Sequence, residues 1–418
     1  MSQLSDDCFA AGEGLLTAAE AARIIADRVR PIAGTETVPL TAALGRVLAE
    51  DLRADRAVPP HDSSAVDGYA IHHADLLADA ETVLPVGGRV TAGHPLGRAQ
   101  RRGEAIRIFT GAMLPPGPDT VMMQEDCIAD GDRVRLRPGI RAGANRRLAG
   151  EDVPAGAIAL RGGRRMRAQE VGMAAAVGTP AVTVRRRLSA ALFSTGDEIR
   201  PPGEPLPPGA VYDSNRYTVA ALLSGLGVAV DDLGILPDDV DCIRPALATA
   251  AAAHDLIVTT GGMSVGDEDH VRAAVTAAGR LDFWRLAIRP GRPVALGRIG
   301  EAIFLGLPGN PVSVMVAFMT VARPVLLARM GARPEPPRAF PVRLGFDYRK
   351  KAGRREYLRA RLEDGPDGLP LVRKFPRDGV GILSAMVESD GLVALAEDTT
   401  DLTAGTLVDF LPFSEMMR

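Results

Sequence analysis

The chain has 418 residues, 46% hydrophobic and 24% charged, enough to bury cores in two to four domains without resort to disorder. A net charge of −3 argues against a general nucleic-acid binder, and three scattered cysteines (Cys8, Cys127 and Cys242) with no CxxC pair exclude a structural zinc site and suit a reducing cytosol. The opening MSQLSDDCFAAGEG is acidic and has no signal-peptide core, and no run of about 18 apolar residues occurs, so a cytoplasmic protein without a membrane span is expected.

Thr17-x-x-Glu20 is a capping box and predicts a helix to about Val29, stopped by Pro31, with Ala21, Ile24, Ile25 and Val29 facing inward. Residues 45 to 186 are rich in Gly, Pro and short β-like runs such as IRIF, TVMMQ and RVRLR, which predict a β-rich region. The texture changes near residue 188. There LSAALFSTGDE, VAVDDLGIL and DLIVTTGG read as strands, alternating with the helices NRYTVAALLSGLG and IRPALATAAAAH. Such alternation predicts βαβ units and a parallel-rich sheet covered on both faces. Another helix (VRAAVTAAG) and the apolar runs PVALG and AIFLGLPG extend it, and a long apolar helix follows Pro311. Pro334, Pro336 and Pro337 mark a linker. Beyond it, FPVRLGF, REYLRARLE, LPLVRKF, GLVALAED and TLVDFLPF predict a small C-terminal β domain.

In open α/β sheets, ligands bind beyond the carboxyl ends of the strands. Three loops belong there: Ser194-Thr195-Gly196-Asp197-Glu198, the stretch from Thr259 to Asp269 with Gly261, Gly262 and Ser264, and Gly306-Leu307-Pro308-Gly309-Asn310-Pro311-Val312-Ser313. Small residues let backbone N–H groups approach a ligand, and with hydroxyls and helix N-termini they cradle anions. One such loop is an ordinary turn; three in one array point to a ligand. Their carboxylates (Asp197, Glu198, Asp267, Glu268, Asp269) would repel a bare phosphate, but make sense with a bridging Mg²⁺. Between the second and third loops stand Arg285, Arg289 and Arg292, forked donors for an oxyanion. The chain has only three lysines, Lys350, Lys351 and Lys374, so arginine carries nearly all its positive charge and surface arginines are common.

Two patterns lead away from the answer. Gly262-Met263-Ser264-Val265-Gly266 fits a nucleophile elbow, but the only later histidine is His270, which opens a helix, and no triad follows. Walker A and strand-following GxGxxG sequences are absent, which disfavours P-loop and Rossmann enzymes. A second polar cluster lies upstream, in His61–Ala70 with Asp67, in Ile108–Ala112 with Thr110, and in Asn145–Asp152.

Taken together, SSAVDGYA, RIFTGAMLPPG with MMQED, NRRLAGEDV, STGDEI, YDSNR, TTGGMSVGDEDHV, FWRLAIRPGRP and GLPGNPVS occur in one order over residues 63 to 313. In this they resemble the molybdopterin molybdenumtransferases, the family of bacterial MoeA and the C-terminal enzymatic domain of gephyrin. The resemblance implies an elongated, multidomain α/β plus β subunit in four segments. These are an α/β domain (1–25 and 187–333), a linking domain (26–54 and 155–186), a β-rich domain (55–154) and a small barrel-like C-terminal β domain (334–418). It implies molybdenum insertion: adenylylated molybdopterin and molybdate react with Mg²⁺ present and give molybdenum cofactor and AMP. It also implies a homodimer, with Asp67 and Asp152 of one subunit completing the site of the other, and contacts with other molybdenum-cofactor biosynthesis proteins.

Carried over by position, the functional acids are Asp67, Asp152, Glu198, Asp238 and Asp269, of which Glu198, Asp238 and Asp269 would hold the metal or the attacking water. Arg285, Arg289 and Arg292 stand where the family carries lysine; Arg285 and Arg289 would meet molybdate or pyrophosphate oxygens, and Arg292, nearby, would bind the ligand. Thr110, Ser194, Thr195, Gly196, Asp197, Gly261, Gly262 and Ser264 would bind the ligand, with Pro308, Gly309, Asn310, Pro311 and Ser313. Ser384, in DGVGILSAMVESDG, is the loosest match. Two other readings remain open: molybdopterin adenylylation, which needs only about 150 residues of related α/β domain, and a non-catalytic scaffold.

Overall fold

The structure is a computed structural model that describes residues 15–32, 34–262, 270–365 and 368–417, without the side chains of Phe283 and Trp284. It divides into two compact units: Met1–Glu36, Gly45–Ala49 and Val184–Arg418 form the first, Thr37–Leu44 and Glu50–Thr183 the second.

The first unit begins with the helix Ala18–Arg28. The Thr17 hydroxyl accepts the Glu20 N–H at 3.2 Å while the Glu20 carboxylate accepts the Thr17 N–H at 2.8 Å, so two free helix-end donors are satisfied. Ala21 and Ile25 are buried, as the capping box and spacing predict. The central sheet has six strands in the order Ala229–Leu236, Ser189–Thr195, Leu256–Thr260, Ala302–Leu307, Pro293–Ile299 and Arg280–Arg285. The first four run parallel; Pro293–Ile299 is antiparallel to both its neighbours, so Arg280–Arg285 runs in the direction of the first four. Alternate side chains serve opposite faces. Leu192, Val258 and Leu305 join the core that holds Val219 and Leu223 of helix Asn215–Gly225. Phe193, Ile257 and Phe304 join Ile243, Leu247, Val271 and Val275, from helices Val240–Ala253 and His270–Ala278. Both faces being covered explains why these strands are apolar throughout.

The helical stretch Pro311–Arg329 contains a π segment at Phe318–Ala322. Among the described residues it is the one helix long and apolar enough to cross a membrane. Here Val312, Val314, Phe318, Val325 and Leu326 are fully buried against the sheet, so its apolar character is core packing. The C-terminal strands close a five-stranded barrel: Arg355–Asp364, Pro370–Lys374, Phe340–Leu344, Leu407–Pro412 and Gly391–Leu395, the last pairing back onto the first. Closure leaves no edge inside that ring. Val342, Leu344, Leu358, Val372, Val393 and Phe410 fill it. Ile288–Arg289 adds outside the ring, in parallel with Arg355–Glu356.

The second unit is built on another six-stranded sheet: Thr120–Met123, Gly68–Ile71, Ala105–Ile108, Thr82–Val90, Arg133–Leu136 and Cys127–Asp130. Its core lies on both faces, with Tyr69, Ile71, Leu84 and Val134 on one side and Ala70, Ile106, Ile108 and Val121 on the other. The helix Ala168–Ala176 carries Glu170 at its third position, 3% exposed, accepting the Arg167 N–H at 3.0 Å and the Arg164 Nε–H at 2.8 Å. Chiefly the Arg167 guanidinium, then the Arg167 N–H and Arg164, bring this carboxyl down to about 2 against the penalty of burial.

Candidate active site

Four parallel strands deliver their carboxyl ends to one edge of the α/β sheet. Register pairs Ser194 with Thr260, Thr195 with Leu236, and Thr260 with Leu307. The residues that follow therefore emerge side by side: Gly196-Asp197-Glu198, Asp238, Gly261-Gly262 and Pro308-Gly309-Asn310. The approach is close enough to require glycine. A Cβ on Gly261 would lie 2.3 Å from the Thr195 carbonyl oxygen, and one on Gly262 2.5 Å from a Val271 methyl, both at positive φ. A Cβ on Gly309 would lie 3.7 Å from the Gly261 Cα, so the second and third loops touch.

Hydroxyls tie the loops together. Thr195 donates to Asp238 at 3.0 Å, Thr260 donates to the Pro308 carbonyl at 3.0 Å, and the Asn215 amide donates to the Gly309 carbonyl at 2.7 Å. Ser194 is buried and its hydroxyl has no hydrogen-bond partner among the described residues, an orphaned donor at a strand end. Asp197 and Glu198 are exposed. Asn310 precedes Pro311, the first residue of the core helix, and Ser313 is buried one turn on. Ser264 and Asp269 lie outside the described residues.

For a divalent cation, Glu198 and Asp238 offer hard carboxylate oxygens at the same sheet edge, and Mg²⁺ commonly takes one or two carboxylates and keeps several waters. The donor chemistry fits. Among the described residues no group of three or more metal-binding side chains converges.

The arginine segment turns toward a cavity of about 240 Å³ lined by Arg289, Gly291, Arg292, Asn310, Ser313 and Arg354. Arg285 ends its strand opposite Pro293 and does not line this cavity. Arg354 belongs to the C-terminal β segment and was missed by sequence reasoning, because one more arginine in an arginine-rich chain carries no signal. Glu356, fully buried behind it, was missed as well. Its carboxylate accepts Arg289 at 3.3 Å and Arg354 at 3.1 Å through one oxygen, and the Tyr348 hydroxyl at 2.9 Å through the other. Ser384 opens the short helix Ser384–Val387.

In the second unit, Asp67 precedes the strand Gly68–Ile71 and accepts both the Thr110 N–H (2.8 Å) and the Thr110 hydroxyl (2.7 Å). These bonds, backbone first, lower its carboxyl, with a smaller pull from Arg107. Arg107 donates to the Gly68 carbonyl at 2.9 Å and to Gln124 Oε1 at 2.7 Å, and packs over the Phe109 ring at 4.5 Å. Asp62 accepts Arg146 Nε at 2.9 Å and the Ala149 N–H at 2.8 Å, which joins the 61–64 and 145–149 segments. Asp152 is exposed, its N–H bonded to the Val58 carbonyl at 3.1 Å, and no hydrogen bond links its side chain to Asp67 among the described residues. The structure thus joins Asp67 to Thr110 and leaves Asp152 facing solvent.

Comparison with known proteins covers most of the chain. Residues 16–178 match the MoeA N-terminal region (domain I and II), 191–328 the "Probable molybdopterin binding domain", and 341–413 the MoeA C-terminal region (domain IV). A molybdopterin molybdenumtransferase of Haemophilus influenzae is 35% identical, covering 92% of this chain and 95% of the relative. Molybdopterin molybdenumtransferase 2 of Mycobacterium tuberculosis is 33% identical, covering 92% of this chain and 96% of its own. The crystal structure of the molybdopterin biosynthesis moeA protein from Pyrococcus horikoshii superposes with a TM-score of 0.81 at 29% identity, over 96% of this chain and all of that one. The strand-end loops, the C-terminal barrel and the second-unit sheet are all spanned by these matches, and the chain belongs to the MoeA family of molybdopterin molybdenumtransferases.

Proposed function

We propose that this chain inserts molybdenum into molybdopterin, consuming adenylylated molybdopterin and molybdate and releasing molybdenum cofactor and AMP. The observation that carries the proposal is the pairing of two features in one unit: a glycine-lined strand-end cradle and, beside Asn310 and Ser313, an arginine-lined cavity. A phosphate-bearing substrate and a tetrahedral dianion need two such anion sites. Neither alternative gains support. The relatives that match over 90% or more of the chain are named as molybdenumtransferases, whereas adenylylation needs only the α/β part, and the acids of the cradle argue against a scaffold that has lost its chemistry.

In this reading the backbone N–H groups around Gly261 and Gly262, with the Ser194 hydroxyl, hold the adenylate phosphates. Gly309 extends that cradle, and Ser264 would add a hydroxyl donor. Arg289, Arg292 and Arg354 receive molybdate oxygens with forked donors, and Arg285 neutralises charge nearby. Glu198 and Asp238, with Asp269, would hold Mg²⁺. When bound, the ion offsets phosphate charge and acidifies a coordinated water. Asp238, already accepting the Thr195 hydroxyl, is oriented for that task. The family resemblance supports a cytoplasmic homodimer in which Asp67 and Asp152 of one subunit complete the site of its partner, and contact with other cofactor-biosynthesis proteins.

The test is AMP release from adenylylated molybdopterin with Mg²⁺, run with and without molybdate and again with tungstate. Release that depends on the oxyanion and falls at least tenfold in Glu198→Ala or Asp269→Ala is expected. Unchanged adenylate, or full activity in both variants, would sink the assignment. Adenylate made from ATP and molybdopterin would establish the adenylylation step instead.

A further inference from the structure

Glu356 lies in the barrel strand Arg355–Asp364 and is wholly buried. A carboxylate without solvent must be paired or give up its charge. Here three donors meet it. Arg289 and Arg354 share Oε1, at 3.3 and 3.1 Å, and the Tyr348 hydroxyl reaches Oε2 at 2.9 Å. Two guanidiniums on one oxygen stand within two hydrogen-bond lengths of each other. Without the carboxylate they would repel. They also have somewhere to go, because the Arg289 side chain is 55% exposed and that of Arg354 38%. Both line the cavity of about 240 Å³, together with Arg292. Three guanidiniums less one carboxylate leave two positive charges, the complement of a tetrahedral dianion. Tyr348 anchors the far oxygen. Its phenol is pushed up to about 12 by burial first and then by Glu356, so it remains a donor across the neutral range.

We propose that Glu356, oriented by Tyr348, is a positioning residue that holds Arg289 and Arg354 in the geometry that takes the oxyanion. This rests on the reading of the arginine cavity as the molybdate site. It gives the C-terminal barrel a direct part in that site, through the parallel pairing of Ile288–Arg289 with Arg355–Glu356.

A purely structural ion pair would lower stability and leave affinity alone, so the measurement must separate the two. Molybdate is titrated calorimetrically into the full-length protein, and the molybdate dependence of AMP release is followed in parallel, with thermal melts as a folding check. Glu356→Gln keeps the shape and removes the charge. It should raise the molybdate Kd and KM about tenfold, the worth of one charge-assisted hydrogen bond, with kcat at saturating molybdate within about twofold. Glu356→Asp should restore part of the affinity. Tyr348→Phe leaves the charge in place and should raise the Kd a few-fold; it decides the matter if Glu356→Gln does not fold. Folded variants with wild-type Kd and KM overturn the proposal. Arg292→Ala distinguishes the two levels. Weaker binding there, with unchanged binding in Glu356→Gln and Tyr348→Phe, removes only the positioning role. Unchanged binding in all three removes the cavity as the molybdate site and the positioning role with it.

Discussion

Asp67 owes its acidity chiefly to one neighbour, Thr110, with a smaller pull from Arg107. The Thr110 N–H and hydroxyl both donate to the same carboxylate oxygen, and both favour the charged form. The bonds hold the folded-state carboxyl below its ordinary value near 4. Their stabilisation is therefore present above the unfolded pKa and disappears as pH falls through the depressed folded value. Thr110→Val deletes the hydroxyl bond. Its expected effect is an upward move of the acid limb of the pH–rate profile for AMP release, with the neutral-pH rate lowered by less than Asp67→Asn lowers it. A Thr110→Val profile that overlays the wild type would show that Asp67 ionisation does not govern the acid limb. The arginine segment shows a different residue-level logic. Its spacing made Arg285, Arg289 and Arg292 equivalent on paper, yet Arg289 and Arg292 line the cavity and Arg285 does not.

Elements whose signals are local could be read directly from the chain. The capping box at Thr17 is a four-residue pattern, and the helix begins there. Half of that device recurs at Arg167, whose guanidinium cannot accept the Glu170 N–H but where Glu170 accepts the cap N–H and two guanidiniums. Because the folded Glu170 titrates at about 2, its pairing stabilises the fold fully above the unfolded value near 4.3 and is lost as pH falls toward 2. Glu170→Gln is expected to reduce stability by about 2 kcal/mol at pH 7, the range for a buried charged hydrogen-bond network, with the gap to wild type closing below pH 3 in denaturant melts. Other elements depended on partners far along the chain. The run PVALG predicts a strand but carries no direction, and Pro293–Ile299 proved antiparallel. Five C-terminal β segments were legible, whereas their closure was not, since it rests on Arg355–Asp364 meeting Gly391–Leu395. Glu356 belongs to the same class, because an isolated Glu in REYLRARLE acquires meaning only once the fold buries it.

At the scale of the whole molecule, the acids assigned to catalysis divide between the two compact units: Asp67 and Asp152 fall in the second, Glu198 and Asp238 in the first. If a homodimer builds each site from the first unit of one subunit and the second unit of its partner, damage to the two units should complement. Asp67→Asn and Asp238→Asn homodimers would each be inactive, since every site carries one lesion. In a mixed dimer one site receives both lesions and the other none. Each mixed dimer regains one site of two, so the mixed species should show roughly half of wild-type AMP release, and an unseparated equal mixture, half of it mixed, roughly a quarter. The measurement is activity after the two inactive variants are co-expressed with different affinity tags and the doubly tagged species isolated. Recovery in that species alone requires a site shared across subunits. Its absence, in a dimer shown to be mixed, would mean that Asp67 and Asp238 act within one chain or that Asp67 acts elsewhere, and the division of acids between units would then reflect folding economy rather than a composite site.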